Sequence, residues 1–161
     1  VGSNIFGGAG TGDQVVVADY DLDGYLDLFV VNGLNIVPLT RGGPDNLFHN
    51  LGSGNNWIEL DLQGTISNRD AVGTKVYATV PGKTQLREQN GGYHRAAQNF
   101  DRIHFGLARN TVVDLRVQWP SGGVDTYSNV LANRIYRVVE GGGLTATAAC
   151  AALPACNRGA Q

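Results

Sequence analysis

Asp19, Asp21, Asp23 and Asp27 fall within the nine residues Asp19-Tyr20-Asp21-Leu22-Asp23-Gly24-Tyr25-Leu26-Asp27, between the apolar runs Val15-Val16-Val17-Ala18 and Leu28-Phe29-Val30-Val31. Carboxylates spaced by two converge on one centre only where the backbone curls around it, and Gly24 supplies the φ freedom for the sharp turn. Asp27 then closes the set. Hard oxygen donors with no His or Cys beside them in the sequence suit Ca²⁺, which takes about six to eight oxygens and tolerates irregular geometry. The expected metal ligands are Asp19, Asp21, Asp23 and Asp27 through their carboxylates and Tyr25 through its carbonyl, with water completing the shell. An Asp-Gly turn needs far fewer acids. Without a cation, two unit charges about 4 Å apart repel by about 4 kcal/mol at an effective dielectric of about 20. An EF-hand loop closes at about position twelve between helices. Here the closing acid is at position nine and the flanks are β-branched and apolar, so the loop joins strands.

The loop resembles the calcium loop of FG-GAP (VCBS-type) repeats. Phe6-Gly7-Gly8-Ala9, Leu28-Phe29-Val30-Val31-Asn32-Gly33 and Pro44-Asp45-Asn46-Leu47-Phe48-His49-Asn50 extend that resemblance over about the first fifty residues. It implies a β-hairpin carrying one Ca²⁺. Such repeats build propellers in series, whereas this sequence holds a single acidic loop, and one repeat cannot close a propeller.

The elements that must position this loop emerge from composition and period. The chain has 161 residues, 42% hydrophobic, with 23 Gly, no Met and acids that are mostly Asp, a turn-rich and helix-poor balance that favours an all-β fold. A formal charge of −2 leaves no nucleic-acid footprint, and no apolar run approaches a membrane span. Ile58, Leu60 and Leu62 alternate with Glu59 and Asp61, the period of a half-buried strand with its acids facing water. Val76, Ala78 and Val80 repeat the pattern, and Pro81-Gly82 turns that strand into Lys83 to Glu88. Ile103 and Phe105 mark another strand, and Val113, Leu115, Val117 and Trp119 a long one that turns at Pro120-Ser121-Gly122-Gly123 into Val124 to Tyr127. Arg134 to Glu140 reads as the last. The expectation is an antiparallel β-sandwich of two sheets with the metal loop in an N-terminal hairpin. The domain reading is 1–54 for the calcium repeat, 55–140 for the sandwich and 141–161 for a Gly/Ala/Thr-rich tail. In that tail Gly141-Gly142-Gly143 is a flexible break, and the residues beyond it are either without order or a strand given to another surface.

Asn56-Trp57, Gly64, Ser67-Asn68-Arg69-Asp70-Ala71-Val72-Gly73, Gly91-Gly92-Tyr93, His104-Phe105-Gly106-Leu107 and Trp119-Pro120-Ser121-Gly122 together resemble the ASPIC/UnbV domain over about residues 56 to 140. That domain follows FG-GAP repeats in secreted proteins such as the cartilage acidic protein family. The resemblance implies an extracellular, calcium-associated, non-catalytic module and names no ligand.

The remaining polar residues point the same way. Asn68-Arg69-Asp70 reads as a self-bonded turn. His94 and His104 stand apart from any acid or Ser motif, and Ser121 lacks the strand-to-helix setting of a nucleophile elbow. Glu59, Asp61, Asp101, Asp114 and Glu140 give no cue to a glycosidase pair. Trp57, Tyr93, Trp119 and Tyr127 serve the core or strand pairs rather than a sugar platform. Cys150 and Cys156 bracket a short loop with no His nearby, which favours a local disulfide and an oxidising compartment. The function expected is a non-enzymatic, extracellular, Ca²⁺-binding structural module that self-associates, as in a surface fibre or matrix. The alternative is an adhesion module of a larger secreted protein with a protein or glycan ligand.

Overall fold

A computed structural model describes residues 14–32, 43–94 and 97–147. The segment Phe6 to Ala9 and the Cys150–Cys156 pairing lie outside them. Every regular element among the described residues is a strand. β1 (Gln14–Ala18), β2 (Asp27–Val31) and β3 (Asn46–Phe48) form a small antiparallel sheet in that order.

Two four-stranded sheets make up the rest of the body. One has the order β11-β10-β5-β6, with β5 (Lys75–Val80), β6 (Lys83–Glu88), β10 (Val112–Gln118) and β11 (Val124–Leu131). The other has the order β13-β12-β4-β9, with β4 (Asn56–Gln63), β9 (Ile103–Ala108), β12 (Arg134–Val139) and β13 (Gly143–Ala146). A short ribbon of β7 (Tyr93–His94) and β8 (Ala97–Gln98) bridges toward the small sheet. The alternating residues of the two large sheets close on one another as the sequence pattern requires. Val76, Ala78, Val113, Leu115 and Val117 face Ile58, Leu60, Phe105, Leu107 and Val138 in one core, with Trp119 and Tyr136 at its margins.

The all-β sandwich is the expected one, with three differences. First, the second sheet is mixed. β12 runs parallel to β4, from Arg134 beside Ile58 to Val139 beside Gln63, because the chain reaches β12 only after crossing to the other sheet and back. Second, Arg134 to Glu140 is not the last strand. Gly141 and Gly143 adopt φ of +65° and +99°, which Gly reaches at no steric cost, and they turn the chain back so that β13 pairs antiparallel with β12. Leu144 packs against the core, so this part of the tail extends its own sheet instead of leaving for another surface. Third, Glu59 does not face water. It is 1% exposed because other parts of the chain cover the outer face of β4.

Glu140 ties the layers together where β12 ends. Its carboxylate accepts from the backbone N–H groups of Thr65, Ile66 and Ser67 at 2.7–2.8 Å, from the Ser67 hydroxyl at 2.9 Å and from the Ser121 hydroxyl at 2.5 Å. The Ser121 hydroxyl is thereby committed to a structural bond. Asn68, next in the same loop, bonds Val72 N–H and C=O, closing the self-bonded turn. Burial pushes the Glu140 carboxyl up, but the donors from Ser121, Ser67, Thr65 and Ile66 outweigh it and hold the group down at about 2. Since that value lies below the ordinary 4.5, the bonds contribute in full above pH 4.5 and fade as pH falls through about 2. Glu140→Gln leaves one acceptor oxygen where five donors point. The variant is expected to melt below the parent at neutral pH, with the gap closing as pH is lowered from 4.5 toward 2. A gap in melting temperature that stays constant across that range would exclude this account.

Candidate metal centre

The acidic loop spans the turn between β1 and β2, whose register ends at Ala18 opposite Asp27. Its curl is held by its own carboxylates. Asp19 Oδ1 accepts from Asp23 N–H at 3.1 Å and Asp19 Oδ2 from Gly24 N–H at 2.8 Å, while Asp23 Oδ1 accepts from Tyr25 N–H at 2.8 Å. These bonds leave Asp19, Asp21 and Asp23 each offering one oxygen within 4.8 Å of the others. Asp27 is gathered differently. It sits with Asp21 and the imidazole of His49, again within 4.8 Å, and accepts from Asn50 N–H at 2.7 Å and Tyr20 N–H at 3.3 Å. Tyr25 reaches the segment after β3, its hydroxyl donating to Asn55 O at 3.1 Å and its ring lying over Gly52. A set of carboxylate oxygens with one side open to solvent fits a hard divalent cation.

The loop rests on the outer face of β4 and β9. Gly24, at φ +88°, lies against the Trp57 indole so closely that a Cβ there would fall 1.6 Å from Cε2. The Gly24 carbonyl accepts from His104 Nε2 at 2.9 Å, which makes Nε2 the protonated nitrogen. Beneath this turn Glu59 is buried and paired with Arg102 Nη1 at 2.7 Å, and the Arg102 guanidinium lies 4.6 Å from the centroid of the Phe100 ring. Asn99 Oδ1 accepts from Val17 N–H at 2.9 Å, and Phe100 N–H donates to Val17 O at 3.3 Å, so the 97–100 segment also holds the edge of β1.

This seat sets the electrostatics. Burial, then the charges of Glu59 and Asp23, push the Asp19 carboxyl up to about 6 against the lowering bonds from Gly24 and Asp23 N–H. Burial also raises Asp23, reinforced by Asp21 and Asp27 and opposed by the Tyr25 N–H and His49. Burial lowers His104, opposed by its bond to the Gly24 carbonyl and by the charge of Asp19. Asp19 and Asp23 are thus held ionised at an electrostatic cost.

His49, Trp57, Glu59, Arg102 and His104 belong to this site, and sequence reasoning places none of them there. His104 in particular does not stand apart. One signal is present for His49: continuing the β2–β3 register beyond Leu28 opposite Phe48 sets His49 opposite Asp27. The contacts of β4 and β9 with the loop have no local signal, since the residues involved are separated by as many as 80 positions.

Residues 64–145, half of the chain, match the family model described as ASPIC and UnbV. Cartilage acidic protein 1 of Mus musculus is 34% identical over 117 residues, covering 71% of this chain and 17% of that protein. The Homo sapiens protein of the same name is 32% identical over 135 residues, covering 83% of this chain and 19% of that protein. In the Xenopus tropicalis protein the identity is 32% over 123 residues, covering 75% and 18%. The chain therefore spans under a fifth of the length of the curated relatives it matches.

Two backbone positions in the loop give opposed outcomes. Gly24→Ala adds a methyl inside the indole contact and a Cβ at positive φ, so it should cost well over about 1 kcal/mol and alter Trp fluorescence as the loop lifts from its seat. Leu22 sits at φ +63°, where a β-carbon costs about 1–2 kcal/mol. Leu22→Gly should be neutral to stabilising by up to about 1 kcal/mol, after the extra unfolded-state freedom of Gly is subtracted. Denaturant melts of both variants check the pair. Equal effects would show that the loop is not held in this conformation.

Proposed function

The chain belongs to the ASPIC/UnbV family, and from that membership and the gathering of Asp19, Asp21 and Asp23 we propose that it is a non-enzymatic extracellular module whose loop binds Ca²⁺. The observation that carries the reading is three carboxylates brought within 4.8 Å of one another on a buried seat, with Asp19 only 3% exposed. Asp19, Asp21 and Asp23 would hold the ion, with Asp27 and the Tyr25 carbonyl at the closing end. Bound Ca²⁺ would supply the positive charge that offsets the mutual repulsion of the acids. The protein's own part is to fix the turn. Trp57 and His104 clamp Gly24, and the Asn99 and Phe100 contacts hold β1, so ordering the loop orders the small sheet against the sandwich.

A non-enzymatic role is supported by how the candidate nucleophile and base are engaged: Ser121 donates to Glu140 and His104 to a backbone carbonyl. An extracellular setting is supported by the similarity to cartilage acidic protein 1. Extracellular calcium modules bind in about the 10⁻⁴–10⁻³ M range, an affinity that extracellular but not cytosolic calcium fills. Self-association is supported by the row Val16, Phe29 and Leu47, in register across β1, β2 and β3, where Phe29 is 39% and Leu47 53% exposed.

Calcium at about 10 mM should stabilise the parent by about 1.4–2.7 kcal/mol if affinity lies in that range, and chelator should remove the effect. In Asp21→Ala/Asp23→Ala the melting temperature should no longer respond to either. An unchanged calcium response in the double variant ends the reading. Sedimentation velocity with Ca²⁺ and with chelator tests the second element, which a monomer at every concentration in both conditions would exclude.

A further inference from the structure

His49, which the calcium reading does not use, adds a nitrogen donor beside two of its acids, Asp21 and Asp27. His49 comes directly after β3, which pairs antiparallel with β2, and so lies beside Asp27 from a separate segment of the chain. Its Nδ1 is 3.3 Å from Asp27 Oδ1 and 3.7 Å from Asp21 Oδ2. N–H···O bonds are usually about 2.7–3.2 Å long. Moreover, one ring nitrogen carries a single proton or a single lone pair and cannot bond both carboxylates well. Donors bound to one tetrahedral Zn²⁺ at about 2.0–2.1 Å lie about 3.3–3.4 Å from each other, which is close to the spacing seen here. We propose that Asp21, Asp27 and His49 form a metal position for Zn²⁺, distinct from the all-oxygen calcium set by the nitrogen of His49 and competing with it because Asp21 and Asp27 belong to both sets.

The donors are oriented as a metal position requires. Asp27 is 2% exposed, and its two oxygens are fixed by N–H donors from Asn50 and Tyr20, outside the three ligands. The Tyr20 ring meets the imidazole edge-on, centroids 5.8 Å apart at 69°, which limits its rotation. An imidazole nitrogen moves the donor set from the oxygen-only kind that Ca²⁺ prefers toward the mixed kind that suits Zn²⁺. His49 and Asp21 retain exposures of 39% and 27%, so a fourth position opens to water. The proposal rests on the same loop as the calcium reading but not on its calcium affinity.

Calorimetric titration of the full chain with ZnCl₂ and, separately, with CaCl₂ tests it, with Co²⁺ as a spectroscopic stand-in for Zn²⁺. The parent is expected to take up Zn²⁺, and a Zn²⁺-saturated sample should bind Ca²⁺ more weakly. His49→Gln, an exposed change that spares the core, should lower Zn²⁺ affinity by about tenfold or more and abolish the visible bands of the Co²⁺ form, while Ca²⁺ binding is retained. Asp19→Ala should do the reverse. Zn²⁺ uptake by His49→Gln equal to the parent's, or no Zn²⁺ uptake by the parent, overturns the proposal. Loss of Ca²⁺ binding alone, with the His49-dependent Zn²⁺ uptake intact, counts only against the calcium reading.

Discussion

The contact between Gly24 and the Trp57 indole is the constraint on which the rest of the loop depends. It is possible only because position 24 has no side chain and adopts φ +88°, and it presses the acidic turn onto the outer face of the sandwich. Once the turn is there, the Gly24 carbonyl reaches His104, Asp19 is drawn out of water, and Glu59 is sealed beneath with Arg102 as its partner. Each consequence raises the energy of one anion or satisfies one dipole. The balance is a cluster of carboxylates too close to be comfortable without a counter-charge, held in place by packing from the other side.

Glu140 and Asp19 are buried acids treated in opposite ways. At Glu140 five donors converge on one carboxylate, and its ionised form is stabilised within the protein. At Asp19 burial and the charges of Glu59 and Asp23 outweigh the two N–H donors, and the ionised form is disfavoured. The first arrangement is complete in itself, whereas in the second the donors do not offset burial and the neighbouring charges. This difference, more than the count of acids, is why the calcium proposal falls on the loop and Glu140 reads as architecture.

Much of this is legible in the sequence because it depends on local periods. Strict alternation at Ile58-Leu60-Leu62 and Val113-Leu115-Val117 names core strands, and the Asp spacing with Gly24 names the loop. The features that escape depend on which strands become neighbours. Glu59 reads as a solvent-facing residue of an alternating strand, and only the loop lying across β4 buries it. The parallel β4–β12 pairing has no signature in either strand, since Ile58 and Arg134 carry no mark of each other. The run Gly141-Gly142-Gly143 reads as a break, yet the same positive-φ freedom that permits a break also permits the tight return into β13. His49 is readable only by extending a register that the sequence alone does not fix.

The parallel pairing has a kinetic side. Trp57 N–H is bonded to Asn133, 76 residues later, so β4 cannot find its final neighbour until most of the chain is available. Closing so long a loop is slow, because its entropy must be lost before the contacts that reward it can form. Trp57 and His104, which seat the acidic loop, lie on β4 and β9, which pair with each other within residues 56–108 and do not wait for that step. The acidic loop therefore precedes its seat in chain order, and its turn is fixed once β9 has joined β4 and His104 can reach Gly24, ahead of the slower β4–β12 pairing.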